Sequence, residues 1–180
     1  MDPFATLGIA PSFDVDLAEA ERSHRELSRA LHPDKFVGVE RDRRAALAKA
    51  VEVNDAWRIV RDPVRRAEAL LKLGGVELAE GQEPKPAPEF LMEMLEQREA
   101  LSEAKSANDL RAIRAMATGI EARVRETETS LSDGFARGEK ETLVRKLGEL
   151  RFFRRFLDEV SAIEDEFATA PGPSLRHGSI

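Results

Sequence analysis

The residues with the most chemical potential lie in one short run, His32-Pro33-Asp34-Lys35-Phe36. An imidazole two residues from a carboxylate can act as an acid-base pair or supply two metal ligands. A third ligand and a nucleophile are hard to find nearby. The other reading is a turn, in which Pro33 ends a helix and Asp34 satisfies backbone amides. The residue types alone leave both open. A second set is cationic: Arg22, Arg25 and Arg29 precede the run at helical spacing.

Composition narrows the chemistry further. The chain of 180 residues contains no cysteine, which removes disulfides, thiolate catalysis and Cys-ligated metal centres together, and 3 histidines are left for any imidazole site. No resident cofactor or metal is expected. The 28 Lys plus Arg are outnumbered by 34 Asp plus Glu. Residues 1–75 hold 13 acidic and 13 basic side chains, leaving 21 and 15 for residues 76–180, so the net charge of −6 falls in the second part. General nucleic-acid binding, which needs excess cations to displace counterions, is not expected. No run approaches the roughly 20 apolar residues of a membrane span. Met1-Asp2-Pro3-Phe4 carries neither the basic start nor the apolar core of a signal peptide, so a cytoplasmic location without membrane association is expected.

The elements that must position these groups read as helices throughout, because the 3.6-residue period is strong and no stretch alternates over a strand's length. The fold class is all-α. A helix opens near Asp14 to Asp16, with Glu19 completing a capping-box pattern, and stops before Pro33. Its stripe of Leu17, Ala20, His24, Leu27 and Leu31 leaves Arg22, Arg25 and Arg29 on the opposite face as a basic ridge. A second helix, from about Glu40 to Arg61, carries Leu47, Val51, Asn54 and Trp57 as its apolar stripe, with Asn54 expected as a satisfied buried amide. Arg41, Arg43 and Arg44 are expected in solvent. A short helix over Val64–Leu73 follows Pro63 and closes at Gly74. These helices form a hairpin with short flanking helices.

The stretch from Gly74-Gly75 to Pro88 reads as a linker. It divides the chain into residues 1–75, a linker at 76–88, a second domain at 89–168 and a disordered tail at 169–180 that includes His177. In the second domain Leu110, Ile113, Ala117, Ile120, Val124, Thr127 and Leu131 repeat at steps of three and four, the seam of an antiparallel bundle. A helix from about Glu139 to Phe167 supplies Leu143, Leu147, Leu150, Phe153, Leu157 and Val160. With a helix from about Pro88 to Lys105, it completes a three-helix antiparallel bundle. That first helix has two apolar faces. Phe90, Met94 and Leu101 define one; Leu91, Met92 and Leu95 lie roughly 100° to 200° round the cylinder, beside Glu96, Glu99 and Glu103. The second face either packs inside the protein or is a partner site, with Phe152 its candidate on the neighbouring helix.

A His-Pro-Asp tripeptide at the tip of a helical hairpin, behind a basic ridge, resembles the J-domain of the DnaJ family. The resemblance narrows through Met1-Asp2-Pro3-Phe4-Ala5-Thr6-Leu7-Gly8, Leu27-Ser28-Arg29-Ala30-Leu31-His32-Pro33-Asp34-Lys35-Phe36, Asn54-Asp55-Ala56-Trp57, Arg66-Ala67-Glu68-Ala69-Leu70-Leu71 and Phe90-Leu91-Met92-Glu93-Met94-Leu95-Glu96. Together with Arg145-Lys146-Leu147 and Leu150-Arg151-Phe152-Phe153, these are similar to the HscB family, J-proteins of iron-sulfur cluster assembly, over about residues 1–168. His24 and Leu31 depart from it, standing where an aromatic side chain is common. The resemblance implies a co-chaperone that is not itself an enzyme and uses no cofactor. It would stimulate the ATPase of a DnaK-type, HscA-like chaperone and deliver an IscU-like scaffold to it. The expected chaperone-binding residues are His32, Pro33, Asp34, Lys35, Arg22, Arg25 and Arg29. The expected scaffold-binding residues are Leu91, Met92, Leu95, Glu96, Glu99, Glu103 and Phe152. A general J-protein serving other substrates is the alternative, and an enzyme using His32 and Asp34 a third reading.

Overall fold

A computed structural model describes residues 1–35, 40–76 and 86–169; Phe36, the linker residues 77–85 and the tail from residue 170, with His177, lie outside them. Among the described residues seven α-helices run in order: α1 (Pro3–Leu7), α2 (Leu17–Ala30), α3 (Glu40–Arg61), α4 (Pro63–Leu73), α5 (Pro88–Ser106), α6 (Leu110–Arg137) and α7 (Lys140–Thr169). A single 3-10 turn, Pro33–Lys35, follows α2, and there is no strand among the described residues. Contacts divide the chain into two compact units, residues 1–85 with 128–148, and residues 86–127 with 149–180.

Local chemistry sets the helix starts in the first unit. Asp2, Asp16 and Asp62 each accept hydrogen bonds from amides of the following turn, at 2.9 to 3.1 Å, satisfying donors that a helix N-terminus leaves open. Pro63 takes the first position of α4, where its missing N–H costs nothing. Helices α1 and α2 both pack on α3, around a core of Phe4, Leu7, Ala20, Val53, Ala56 and Val60.

The buried stripe of α3 is not the expected one. Ala46, Val53, Ala56 and Val60 face inward, whereas Leu47 and Val51 are 55% and 54% exposed. A stripe chosen by side-chain size selects Leu47 and Val51. Close approach of α1 and α2 instead favours the smaller residues of a face roughly 100° away. Asn54 is likewise exposed rather than buried, and Trp57 is half-buried.

The end of the α6–α7 hairpin belongs to the first unit. Phe135 stacks on buried Phe13, with ring centroids 5.6 Å apart, and the Arg66 guanidinium lies 4.9 Å above the Phe13 ring. Arg66 also donates to the Val60 carbonyl at 2.8 Å, while Ser132 donates to the Asp14 carboxylate. Burial pushes the Arg66 guanidinium below its ordinary value, opposed by the carboxylates of Glu128, Asp62 and Asp14. At the hairpin itself Gly134 is a close-approach position, because a β-carbon there would stand 2.9 Å from Leu143 Cδ2.

In the second unit α5, the first half of α6 and most of α7 enclose Phe90, Met94, Leu101, Ile113, Ile120, Phe153, Phe156 and Val160. Along α6 the predicted seam is the inner face: Ile113, Ile120, Thr127 and Leu131 are buried, with Leu110, Ala117 and Val124 half-buried. Arg98 pairs with Glu159 at 3.3 Å and Lys105 with Glu166 at 2.6 Å. Both partners advance by seven residues together, so α5 and α7 run parallel, as the first and third helices of an up-down-up bundle must. These exposed pairs contribute about 0 to 1 kcal/mol each, so the register they record is set by the apolar core.

Candidate functional site

Helix α2 ends in a backbone bond from Leu31 N to the Leu27 carbonyl, 3.0 Å, and the chain then turns through Pro33–Lys35 with Lys35 N donating to the His32 carbonyl at 3.0 Å. The His32 Nδ1 stands 3.4 Å from both the Asp34 amide nitrogen and the Asp34 Oδ2. It accepts from the amide when unprotonated and pairs with the carboxylate when protonated, and at that distance either interaction is weak. The Asp34 side chain is 88% exposed. Its carboxylate is therefore presented to solvent. Among the described residues no group of three or more His, Cys, Asp or Glu side chains is placed to hold a metal ion, and no helix is long and apolar enough to cross a membrane.

The basic ridge leads into this turn. Arg22, Arg25, Arg29 and Lys35 are all exposed, and Arg25 lies 3.5 Å from Glu21 one turn back. On the inner side of α2, the His24 ring stacks on Trp57 at 5.6 Å and its Nε2 lies 2.9 Å from Asn54 Oδ1. The amide of Asn54 is thus satisfied by a side chain of α2. His24 supplies the flat ring that packs against Trp57, and this cross-brace holds α2 against α3 behind the ridge.

The second candidate surface is on α5. Phe90 and Met94 enter the core while Leu91, Met92 and Leu95 are 36%, 65% and 59% exposed, which resolves the two-faced pattern in favour of an open apolar face. Glu96, Glu99 and Glu103 are exposed beside it. Phe152 is only half-buried; it packs on the core edge-on to Phe90, with centroids 5.8 Å apart, and forms a wall rather than a projecting anchor. Leu91, Met94, Leu95, Arg98, Phe152 and Arg155 line a depression of about 170 Å³. Sequence reasoning missed Arg98 and Arg155. The signal was present, since Arg98 follows Leu91 by seven residues and Arg155 follows Phe152 by three, which places each beside its apolar neighbour.

A helical hairpin tipped by His-Pro-Asp, followed by a second helical unit with an open apolar face, is the arrangement of a J-type co-chaperone. The family profile described as the HSCB C-terminal oligomerisation domain matches residues 86–161. A co-chaperone protein HscB homolog of Neisseria meningitidis is 32% identical over 160 residues, covering 88% of this chain and 96% of the relative. The structure of chaperone HscB from Vibrio cholerae superposes with a TM-score of 0.82 at 33% identity, over 92% of this chain and 99% of that one. Human co-chaperone protein HscB superposes with a TM-score of 0.83 at 27% identity, over 91% and 82%. The chain belongs to the HscB co-chaperone family.

Proposed function

We propose that this protein stimulates the ATPase of a DnaK-type, HscA-like chaperone through its His32-Pro33-Asp34 turn and basic ridge. On the same reading it presents an IscU-like iron-sulfur scaffold on the Leu91, Met92 and Leu95 face of α5. The carrying observation is the exposed Asp34 carboxylate at the end of a helix whose outer face is Arg22, Arg25 and Arg29, in a chain of the HscB family. Residues 1–75 act as the J-domain and residues 89–168 as the scaffold-binding domain, in the cytoplasm, although the hairpin end at 128–148 groups with the first unit. Neither unit does chemistry. The partner hydrolyses ATP, and this chain acts by binding one conformation of that partner better than another, the only way a ligand shifts an equilibrium.

The two surfaces belong to different helices and respond to different changes. The ridge works by charge at an exposed site, where electrostatics acts chiefly on association rate and salt sensitivity. Reversing Arg25 and Arg29 together to Glu is expected to slow association with the chaperone about tenfold at low salt, less at high salt, with scaffold affinity unchanged. Stopped-flow association with the chaperone and a scaffold titration check both halves. An unchanged association rate would remove the ridge from the chaperone-binding surface.

A further inference from the structure

We propose, resting on the reading of α5 as the scaffold-binding face, that Arg155 is the residue that sets the orientation of the bound scaffold. It does so by pairing with an Asp or Glu that adjoins the apolar side chain seated in the depression between α5 and α7.

The size of the depression fixes the kind of occupant. Small-molecule sites run to roughly 300 to 1,000 Å³, whereas this one, at about 170 Å³, suits a single aliphatic side chain. Its lining fixes the chemistry. Leu91, Met94, Leu95 and Phe152 are apolar, and two guanidiniums complete the rim. They are not equivalent. Arg98 is engaged by Glu159 at 3.3 Å, so its charge and that of Glu159 offset each other. Arg155 is exposed and has no ion-pair partner among the described residues, although Glu159 lies one turn along the same helix. An apolar cup with one uncommitted guanidinium selects an aliphatic side chain next to a carboxylate, which a guanidinium can bind through two N–H donors.

The surroundings then make the surface directional. Around α5, at roughly 100° per residue, Leu91 and Leu95 have Arg98 on the side toward α7 and Glu96, Glu99 and Glu103 on the far side. Arg155 on α7, whose charge is not offset as that of Arg98 is, makes this edge cationic. A partner fits with its acidic flank at Arg155 and its basic flank at the glutamates. Turned about, it meets like charges at both edges, and such juxtaposition is how interfaces reject wrong registers. The apolar residues supply affinity, and Arg155 supplies the sense of docking.

The test is titration of the full-length protein with an IscU-like scaffold at low and high salt, comparing Arg155→Gln, Arg155→Glu and Arg155→Lys with Leu95→Ala. We expect Arg155→Gln to weaken binding about threefold and Arg155→Glu about tenfold, with a smaller salt dependence than wild type for Arg155→Gln, and a loss of about twofold for Arg155→Lys, which keeps the charge but not the two-donor fork. One Asp→Lys or Glu→Lys variant in a panel across the scaffold surface restores binding to Arg155→Glu. Thermal melts of Arg155→Gln, which avoids placing a second carboxylate near Glu159, are expected to match wild type. Wild-type affinity for all three Arg155 variants, with binding lost in Leu95→Ala, overturns the role of Arg155 and leaves the α5 face in place. Wild-type affinity for Leu95→Ala as well overturns both.

Discussion

Replacing Leu91, Met92 and Leu95 together by alanine is expected to weaken scaffold binding at least about thirtyfold while leaving the melting temperature close to wild type. Apolar anchors at an interface centre commonly cost about 2 kcal/mol or more when truncated, which is roughly thirtyfold in affinity. Their exposure in the free protein decides the second half of the expectation. Side chains already 36%, 65% and 59% exposed leave no closed cavity when shortened. Leu147 is the control, because at 1% exposure its truncation is a buried deletion expected to cost about 2 to 5 kcal/mol. Calorimetric melting and a scaffold titration separate the two cases. Stimulation of the chaperone by the triple variant without scaffold should be unaffected. A triple variant that melts early would make this face structural, and one with wild-type scaffold affinity would move the binding site off α5.

Asp34→Asn is expected to abolish most of the stimulation of the chaperone ATPase, a loss of at least about tenfold, without unfolding the chain. Asparagine keeps the size and the turn-forming ability of aspartate and loses its charge. With 88% of the side chain exposed and its His32 neighbour at 3.4 Å, the carboxylate contributes little to the fold. Hydrogen bonds to a charged group are worth roughly 1.5 to 3 kcal/mol, about tenfold or more in rate when made only in the stimulated complex. Helical circular dichroism and scaffold affinity should be unchanged. Wild-type stimulation by Asp34→Asn would remove the turn from the site of action.

What the sequence conveyed about this molecule follows its local physics. The limits of α3, the aspartate that caps α2 and the seam of α6 were legible because each rests on residues within a turn or two of one another. The two faces of α5 were legible too, since an apolar stripe that the bundle does not need shows directly in the spacing. The buried face of α3 was not. It depends on which neighbours come closest, and Ala46 and Ala56 win over Leu47 and Val51 only once α1 and α2 are in place. The partner of Asn54 is 30 residues away on His24, and Phe13 meets Phe135 across most of the chain. No periodicity records such pairs. At the candidate scaffold surface the spacing left open whether Leu91, Met92 and Leu95 pack inside or face solvent, and the structure exposes them with the glutamates; Phe152 is half-buried against Phe90, and the cationic rim emerged only when α5 and α7 were seen side by side.

The most direct test of the proposed function is the steady-state ATPase rate of an HscA-like chaperone measured with this protein alone, with the IscU-like scaffold alone, and with both. Stimulation by this protein alone is expected, with a rate for both that exceeds the sum of the separate effects, because one molecule brings the scaffold to the chaperone it activates. A rate unchanged by this protein, or one to which the scaffold adds nothing, would contradict it.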